Sequence, residues 1–257
     1  MNKKRFDKIV RDIKSVKIQG ARNVARKALE AYSLNPTPKI KKLLLSLRPT
    51  EPMMEHVLNL AEKGKSIKEI NQHFSDAQNK INKKVFKLIK NKDVIFTHCH
   101  STNVVNALIY AKKKGKKFEV YNTETRPLFQ GRKTASELRN KGIKVTMFVD
   151  SAFAFALEKE NKKDQIYAKK VFIGADAITK KGVINKIGSK VIAMIAKKNK
   201  IPFYVIADSW KFTNSKVPIE NRELNEIWDK APQKVKIKNP AFEFVDKKFI
   251  TKIITEK

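Results

Sequence analysis

Apolar residues at Phe6, Ile9, Val10, Ile13 and Val16 recur every three to four positions, the spacing of one face of an amphipathic helix. Ala-rich "GARNVARKALEAY" predicts a second helix over residues 20–32, which "NPTPKIKK" breaks with two prolines before a third over 39–47. Pro49 and Pro52 in "LRPTEP" stand at the entry to a fourth helix, where a missing N–H costs little, and Gly64 marks its end. Ile67, Ile70, Phe74, Ile81, Val85, Phe86 and Ile89 predict a long helix over 66–90, with a break expected near Ser75. At Asp93 the period changes. Short β-rich runs at 94–97, 118–122, 144–149, 171–174 and 202–207 start 24, 26, 27 and 31 residues apart, the spacing of βα repeats. Helices are expected between them at 102–114, 132–141, 151–160 and 188–199, and a last strand at 249–255. Nearly continuous apolar strands imply a parallel sheet covered on both faces. The pattern therefore predicts an α/β protein: a helical N-terminal domain over residues 1–91, then a Rossmann-like domain over 92–257 with a mainly parallel, helix-covered sheet.

Composition narrows the partners. The 57 Lys and Arg outnumber 25 Asp and Glu, giving a net charge of +32 and a strong attraction for anions. The excess is mostly lysine spread along the whole chain, and no RRM, KH or zinc-finger spacing accompanies it, so nucleic acid is the minority reading. One cysteine excludes an internal disulfide and a CxxC zinc site and fits a reducing compartment. No run of about 18 apolar residues suggests a membrane span, and "MNKKRFDKIVRDIK" lacks a signal core, so a cytoplasmic protein is expected.

In open parallel sheets ligands bind outside the carboxyl ends of strands, which makes the residues after each strand the first suspects. After the first strand come His98, Cys99 and His100. Three consecutive side chains converge poorly on a metal, and no further cluster completes a ligand set, so no metal is expected. The histidines and the following helix start favour a Cys99 thiolate, while burial is the usual fate of cysteine, and the two readings balance. After the second strand, "NTETRPLFQGRKTASEL" carries Arg126, Arg132 and Lys133 beside a helix start, an anion site or merely a structured loop with Glu124 paired to arginine. After the fourth, "GADAITKKGVINKIGSK" offers Asp176 as an acid or base and Asn185 with Lys186 as binding groups; a capped turn and a hairpin explain the same residues.

Taken together, "THCHS", "TETRPLFQGRKTASEL" and "GADAITKKGVINKIGSK", with "IQGARNVARKA" and "LRPTEP" upstream, resemble one superfamily. It joins ribose-1,5-bisphosphate isomerases, methylthioribose-1-phosphate isomerases and the regulatory alpha, beta and delta subunits of eukaryotic initiation factor 2B. The resemblance spans nearly the whole chain. The isomerases pair a cysteine after the first motif strand with the aspartate of "GAD", and Cys99 and Asp176 stand at both places; "THCHS" and "NKIGS" are most similar to the bisphosphate branch.

The resemblance implies conversion of ribose 1,5-bisphosphate, formed in nucleoside monophosphate degradation, to ribulose 1,5-bisphosphate, without a cofactor, in a homo-oligomer built from dimers and extending to a hexamer. It implies that Cys99 and Asp176 share the acid–base work: Asp176 protonating the ring oxygen and a Cys99 thiolate removing the C2 proton, or the reverse. Gly20, Ala21, Arg22, Arg48, Arg126, Asn185, Lys186 and Lys211 are the implied substrate-binding residues. Two departures, Gln19 where the isomerases usually carry arginine and the end at "IITEK", favour the alternative of a non-catalytic regulatory subunit. A methylthioribose-1-phosphate isomerase is the third reading.

Overall fold

The computed structural model describes residues 3–158 and 167–257. Five helices come first: α1 (Lys3–Lys14), α2 (Ala21–Leu34), α3 (Pro38–Leu47), α4 (Pro52–Glu62) and α5 (Ile67–Leu88). Their starts follow local chemistry. Thr37 accepts from the Ile40 amide ahead of Pro38 in α3, and Ser66 and Glu69 form a reciprocal capping box on α5. α5 runs unbroken through Ser75, whose hydroxyl donates back to the Asn71 carbonyl while Phe74, Ala77, Gln78 and Ile81 stay buried on one face. The expected break is absent because the apolar stripe continues across it.

β1 (Asp93–Thr97), α6 (Thr102–Lys113), β2 (Phe118–Thr123), α7 (Gln130–Arg139), β3 (Lys144–Phe148), the short α8 (Phe153–Leu157) and β4 (Lys170–Ile173) follow. The helix expected over 151–160 is thus a 3-10 turn plus α8, and residues 159 and 160 lie outside the described residues. The chain continues through β5 (Ala177–Thr179), β6 (Gly182–Lys186), α9 (Ser189–Lys198), β7 (Phe203–Ile206), β8 (Phe242–Asp246) and β9 (Lys252–Ile254). The main sheet has the order β3-β2-β1-β4-β7-β9, every neighbouring pair parallel. The last expected strand is real but shorter, and it joins the sheet edge beside β7.

Alternation along these strands divides the sheet's two faces. Val94, Phe96, Val171, Ile173, Phe203 and Val205 pack in one cluster, on the side of α8 and α9. Ile95, Phe172 and Ile206 pack on the other side with α6, Leu138 of α7, and Ile81, Val85 and Ile89 from the end of α5. The first half of α5 instead joins a helical core built from α1 to α4. One helix therefore belongs to both cores. β3 departs from the expected continuous burial: it is an edge strand, and Met147 is 46% exposed. A second sheet, β5-β6-β8, is antiparallel, its β5–β6 hairpin lying inside the "GADAITKKGVINK" run. Among the described residues no helix is long and apolar enough to cross a membrane.

Gly131 fixes how closely α7 approaches β2. A Cβ there would lie 1.7 Å from the Thr123 carbonyl oxygen, and the Asn122 side chain donates to the Gly131 carbonyl at 2.8 Å. Gly131→Ala should therefore lower stability by about 3 kcal/mol, because rigid backbone must move to admit the methyl group. Urea unfolding of the two proteins checks this; an unchanged midpoint would mean that the contact yields freely.

Candidate functional site

Loops at the carboxyl ends of β1 and β4 meet because the two strands are paired neighbours. Cys99 follows β1 with φ +65°, a left-handed backbone that costs a side-chain-bearing residue about 1 kcal/mol or more. Two threonines hold it there. The Cys99 amide donates to Thr125 Oγ1 at 3.0 Å, and Thr134 Oγ1 donates to the Cys99 carbonyl at 2.9 Å. Ser101 then caps α6, accepting from the Val104 amide. A Cβ on Gly174 would come within 2.6 Å of Ser101 Oγ, so glycine lets the end of β4 close against this cap. Asp176 comes two residues later, its amide donating to the Ile184 carbonyl at 2.8 Å.

The flanking histidines are occupied elsewhere. His98 Nε2 donates to the Ile187 carbonyl at 2.8 Å, so Nδ1 is the acceptor for the Thr123 hydroxyl at 2.6 Å. His100 Nδ1 donates to Thr134 Oγ1 at 3.1 Å, the hydroxyl proton being already engaged with Cys99. Burial pushes both histidines down to about 4, so both are neutral. Burial also pushes the Cys99 thiol up to about 11; the Lys186 charge opposes the shift and Asp176 adds to it. Of the two balanced readings of Cys99, burial favours the neutral thiol: neither histidine carries charge, and desolvation outweighs the helix start.

One cavity is lined by Cys99 and Asp176 together with Gly20, Ala21, Arg22, Arg48, Asn185, Lys186 and Lys211; besides Cys99's own loop, these come from the start of α2, the end of α3, the turn after β4, the end of β6 and the turn after β7. Arg126 is not among them. Its backbone amide donates to Asp150 Oδ2, its guanidinium reaches the Ile227 carbonyl at 3.4 Å, and it lies over the Phe129 ring. Gln19 lines the cavity beside Gly20, which opens α2 with φ +84°. No side chain caps this helix start, so first-turn amides are available to an anion.

Glu51, Glu220 and Arg222 also line the cavity and carry no signature that separates them in sequence from surface residues. Glu51 stands immediately before Pro52, where a helix cap is expected, yet its side chain caps nothing. Arg48 joins these pieces: Nε donates to Glu220 at 3.0 and 3.2 Å, and Nη2 donates to Glu51 at 3.3 Å. Thr50 donates to the Pro218 carbonyl at 2.6 Å and accepts from the Glu220 amide at 3.2 Å, which fixes the 218–222 segment against the start of α4.

Five cationic side chains and three carboxylates thus share one buried space, with cations in excess. Arg22 Nε, Arg48 Nη1 and Arg222 Nε are buried without a hydrogen-bond partner. Buried polar groups are ordinarily satisfied, so three unfilled guanidinium donors indicate a place for an anionic ligand. The side chain of Lys186, a residue 4% exposed, forms no hydrogen bond or ion pair among the described residues, and its Nζ sits 5.8 Å from the Phe242 ring centre. Lys211 Nζ donates to the Ala175 carbonyl, next to Asp176. Burial raises the Asp176 carboxyl, and Lys211, Arg48 and Lys186 pull it back toward ionisation.

A group able to hold a cation lies outside this lining. His73, Asp208 and Glu256 bring one ligand atom each within 4.8 Å of one another. His73 stacks on Trp210 at 3.5 Å and approaches Asp208 at 3.2 Å, joining α5 to the segment after β7.

Comparison with known proteins agrees with this architecture. Ribose 1,5-bisphosphate isomerase of Archaeoglobus fulgidus is 33% identical over 95% of the chain and 86% of its own length. Methylthioribose-1-phosphate isomerase of Thermosipho africanus is 32% identical over 93% of the chain and 78% of its own length. Among solved structures, a Pyrococcus horikoshii protein described as translation initiation factor eIF-2B superposes with a TM-score of 0.83 at 27% identity, covering 98% of this chain and 95% of that one. Residues 17–257 match the Initiation factor 2 subunit family, and the chain belongs to that family.

Proposed function

We propose that the protein is a cytoplasmic aldose–ketose isomerase that converts ribose 1,5-bisphosphate to ribulose 1,5-bisphosphate at the Cys99–Asp176 cavity. The observation that carries this reading is the convergence of a thiol and a carboxylate from two adjacent strand ends on a space lined by unfilled cationic donors. The named isomerases among the relatives support the reaction class. The bisphosphate is favoured over the thioether because cations lie at two parts of the cavity: Arg22 beside the open start of α2, and Arg48, Lys186 and Lys211 around Asp176. Each phosphate would have its own cradle.

The charge states favour one division of labour. A thiol held neutral by burial suits the acid, and the Asp176 carboxyl, raised by burial and drawn back by Lys211, Arg48 and Lys186, suits a base that must also return its proton. Cys99 gives its proton to the ring oxygen as the C1–O bond breaks, the electron pair staying on oxygen. Asp176 takes the C2 proton, and the C–H electrons form the C1=C2 bond of an enol. Asp176 then returns the proton to C1 while the Cys99 thiolate takes the C2 hydroxyl proton, which yields the C2 ketone and restores both groups.

The implied homo-oligomer finds support in apolar side chains left on the surface near the β3 edge, Met147, Val149 and Phe155, the last two each 58% exposed. Sedimentation at micromolar concentration should give a dimer or a multiple of it; monomer alone would contradict this.

Incubation with ribose 1,5-bisphosphate should yield ribulose 1,5-bisphosphate faster than methylthioribose 1-phosphate yields its ketose. Conversion of neither would favour a non-catalytic regulatory protein. Cys99→Ser and Asp176→Asn should each lower kcat by about 10²–10⁴-fold while substrate binding persists. Near-normal turnover in either variant would reject the assignment.

A further inference from the structure

Glu51 is a carboxylate in a cavity otherwise suited to anions. It is 3% exposed, and it stands at the N-cap position of α4, immediately before Pro52, with its side chain capping nothing. Oε1 accepts from Arg48 Nη2 at 3.3 Å, while Oε2 has no partner. Arg48 Nη1, on the same guanidinium, has none either. Its Nε is meanwhile taken up by both oxygens of Glu220. An ionised carboxylate with a bare, buried oxygen is costly, and here two further carboxylates add to the cost. The charged groups facing Glu51 are Asp176 from the turn after β4, Arg48 from the end of α3, Lys211 from the turn after β7, and Glu220 from the segment before β8. Two cations thus oppose two carboxylates, and burial decides the balance. It pushes Glu51 up to about 8, with the Asp176 charge adding to the shift.

We propose that Glu51 meets the ligand as a neutral carboxylic acid, its O–H donating to a phosphate oxygen that also accepts from Arg48 Nη1. This rests on the cavity being a sugar-phosphate site. A neutral acid supplies a donor without adding charge, whereas the anion would set a carboxylate against a phosphate dianion. For a carboxyl raised to about 8, the neutral form prevails below that pH and is lost above it. Affinity for a phosphate should then fall by about tenfold per pH unit above about 8, one proton being linked to one ligand. The phosphate is already dianionic in that range, its second ionisation lying near about 6. The Cys99 thiol, at about 11, stays neutral through it.

The test is calorimetric titration with ribose 5-phosphate from about pH 7 to about pH 9.5, on the full chain and on Glu51→Gln. Wild-type affinity should fall above pH 8, and Glu51→Gln, neutral at every pH, should hold its affinity. An equal fall in both proteins would overturn the proposal. Should the glutamine variant not fold, wild-type protein is titrated near pH 8.5 in two buffers of different ionisation enthalpy. Net proton uptake on binding supports the neutral acid, and none overturns it. Absence of binding at any pH overturns both this proposal and the sugar-phosphate site. Binding with the expected pH dependence but without turnover of either isomerase substrate supports the Glu51 proposal and rejects only the isomerase reading.

Discussion

Parallel pairing of β1 with β4 is the constraint on which the site depends. It sets Ile95 beside Lys170 and Phe96 beside Val171, so the loops carrying Cys99 and Asp176 leave the same edge of the sheet. Side-chain alternation then holds that register, since a one-residue slip would turn Phe96 and Val171 toward the wrong face. Gly174 allows the close approach of the β4 end to Ser101, and Thr125 and Thr134 hold Cys99 in its left-handed backbone. The hydrophobic core thus does more than stabilise the fold: it fixes the relation between a thiol and a carboxylate that lie far apart in sequence.

Electrostatics build on that frame. Arg48 ties the end of α3 to Glu51 and to Glu220, so residues from the helical half and from the segment after β7 are joined by one buried guanidinium. Breaking a buried ion pair such as Arg48–Glu220 by removing one partner typically costs about 3–5 kcal/mol, so this contact fixes structure as well as supplying charge. The same network governs protonation. Low solvation keeps His98, His100 and Cys99 neutral and presses Glu51 and Asp176 toward neutrality, while the cations pull Asp176 back. A dianionic ligand entering this space finds unfilled cationic donors and more cations than carboxyl groups.

Much of this was legible from residue order. The five parallel strands from β1 to β7, the helices between most of them and the α5 stripe all follow from apolar period, because packing on two sheet faces or one helix face imposes that period. Cys99 and Asp176 stood out through position at strand ends. Three features escaped for physical reasons. The second sheet depends on β8 returning from more than fifty residues away to pair with β6, a contact that no local pattern encodes. Glu51 and Glu220 are ordinary acidic residues until tertiary folding removes them from water. The charge state of Cys99 stayed open because neighbouring histidines favour a thiolate only when charged, and burial, which no local pattern shows, keeps both rings neutral even though the Ile187 carbonyl favours the charged form of His98.

The proposed chemistry needs one sugar held between Cys99 and Asp176. A crystal structure with bound ribulose 1,5-bisphosphate tests it most directly. C1 and C2 should lie within about 3.5 Å of the Asp176 carboxylate and the C2 oxygen within about 3.5 Å of the Cys99 sulfur, the distance from which proton transfer proceeds, with a phosphate against Arg48. A ligand bound with C1 and C2 turned away from both residues, or outside this cavity, would contradict it.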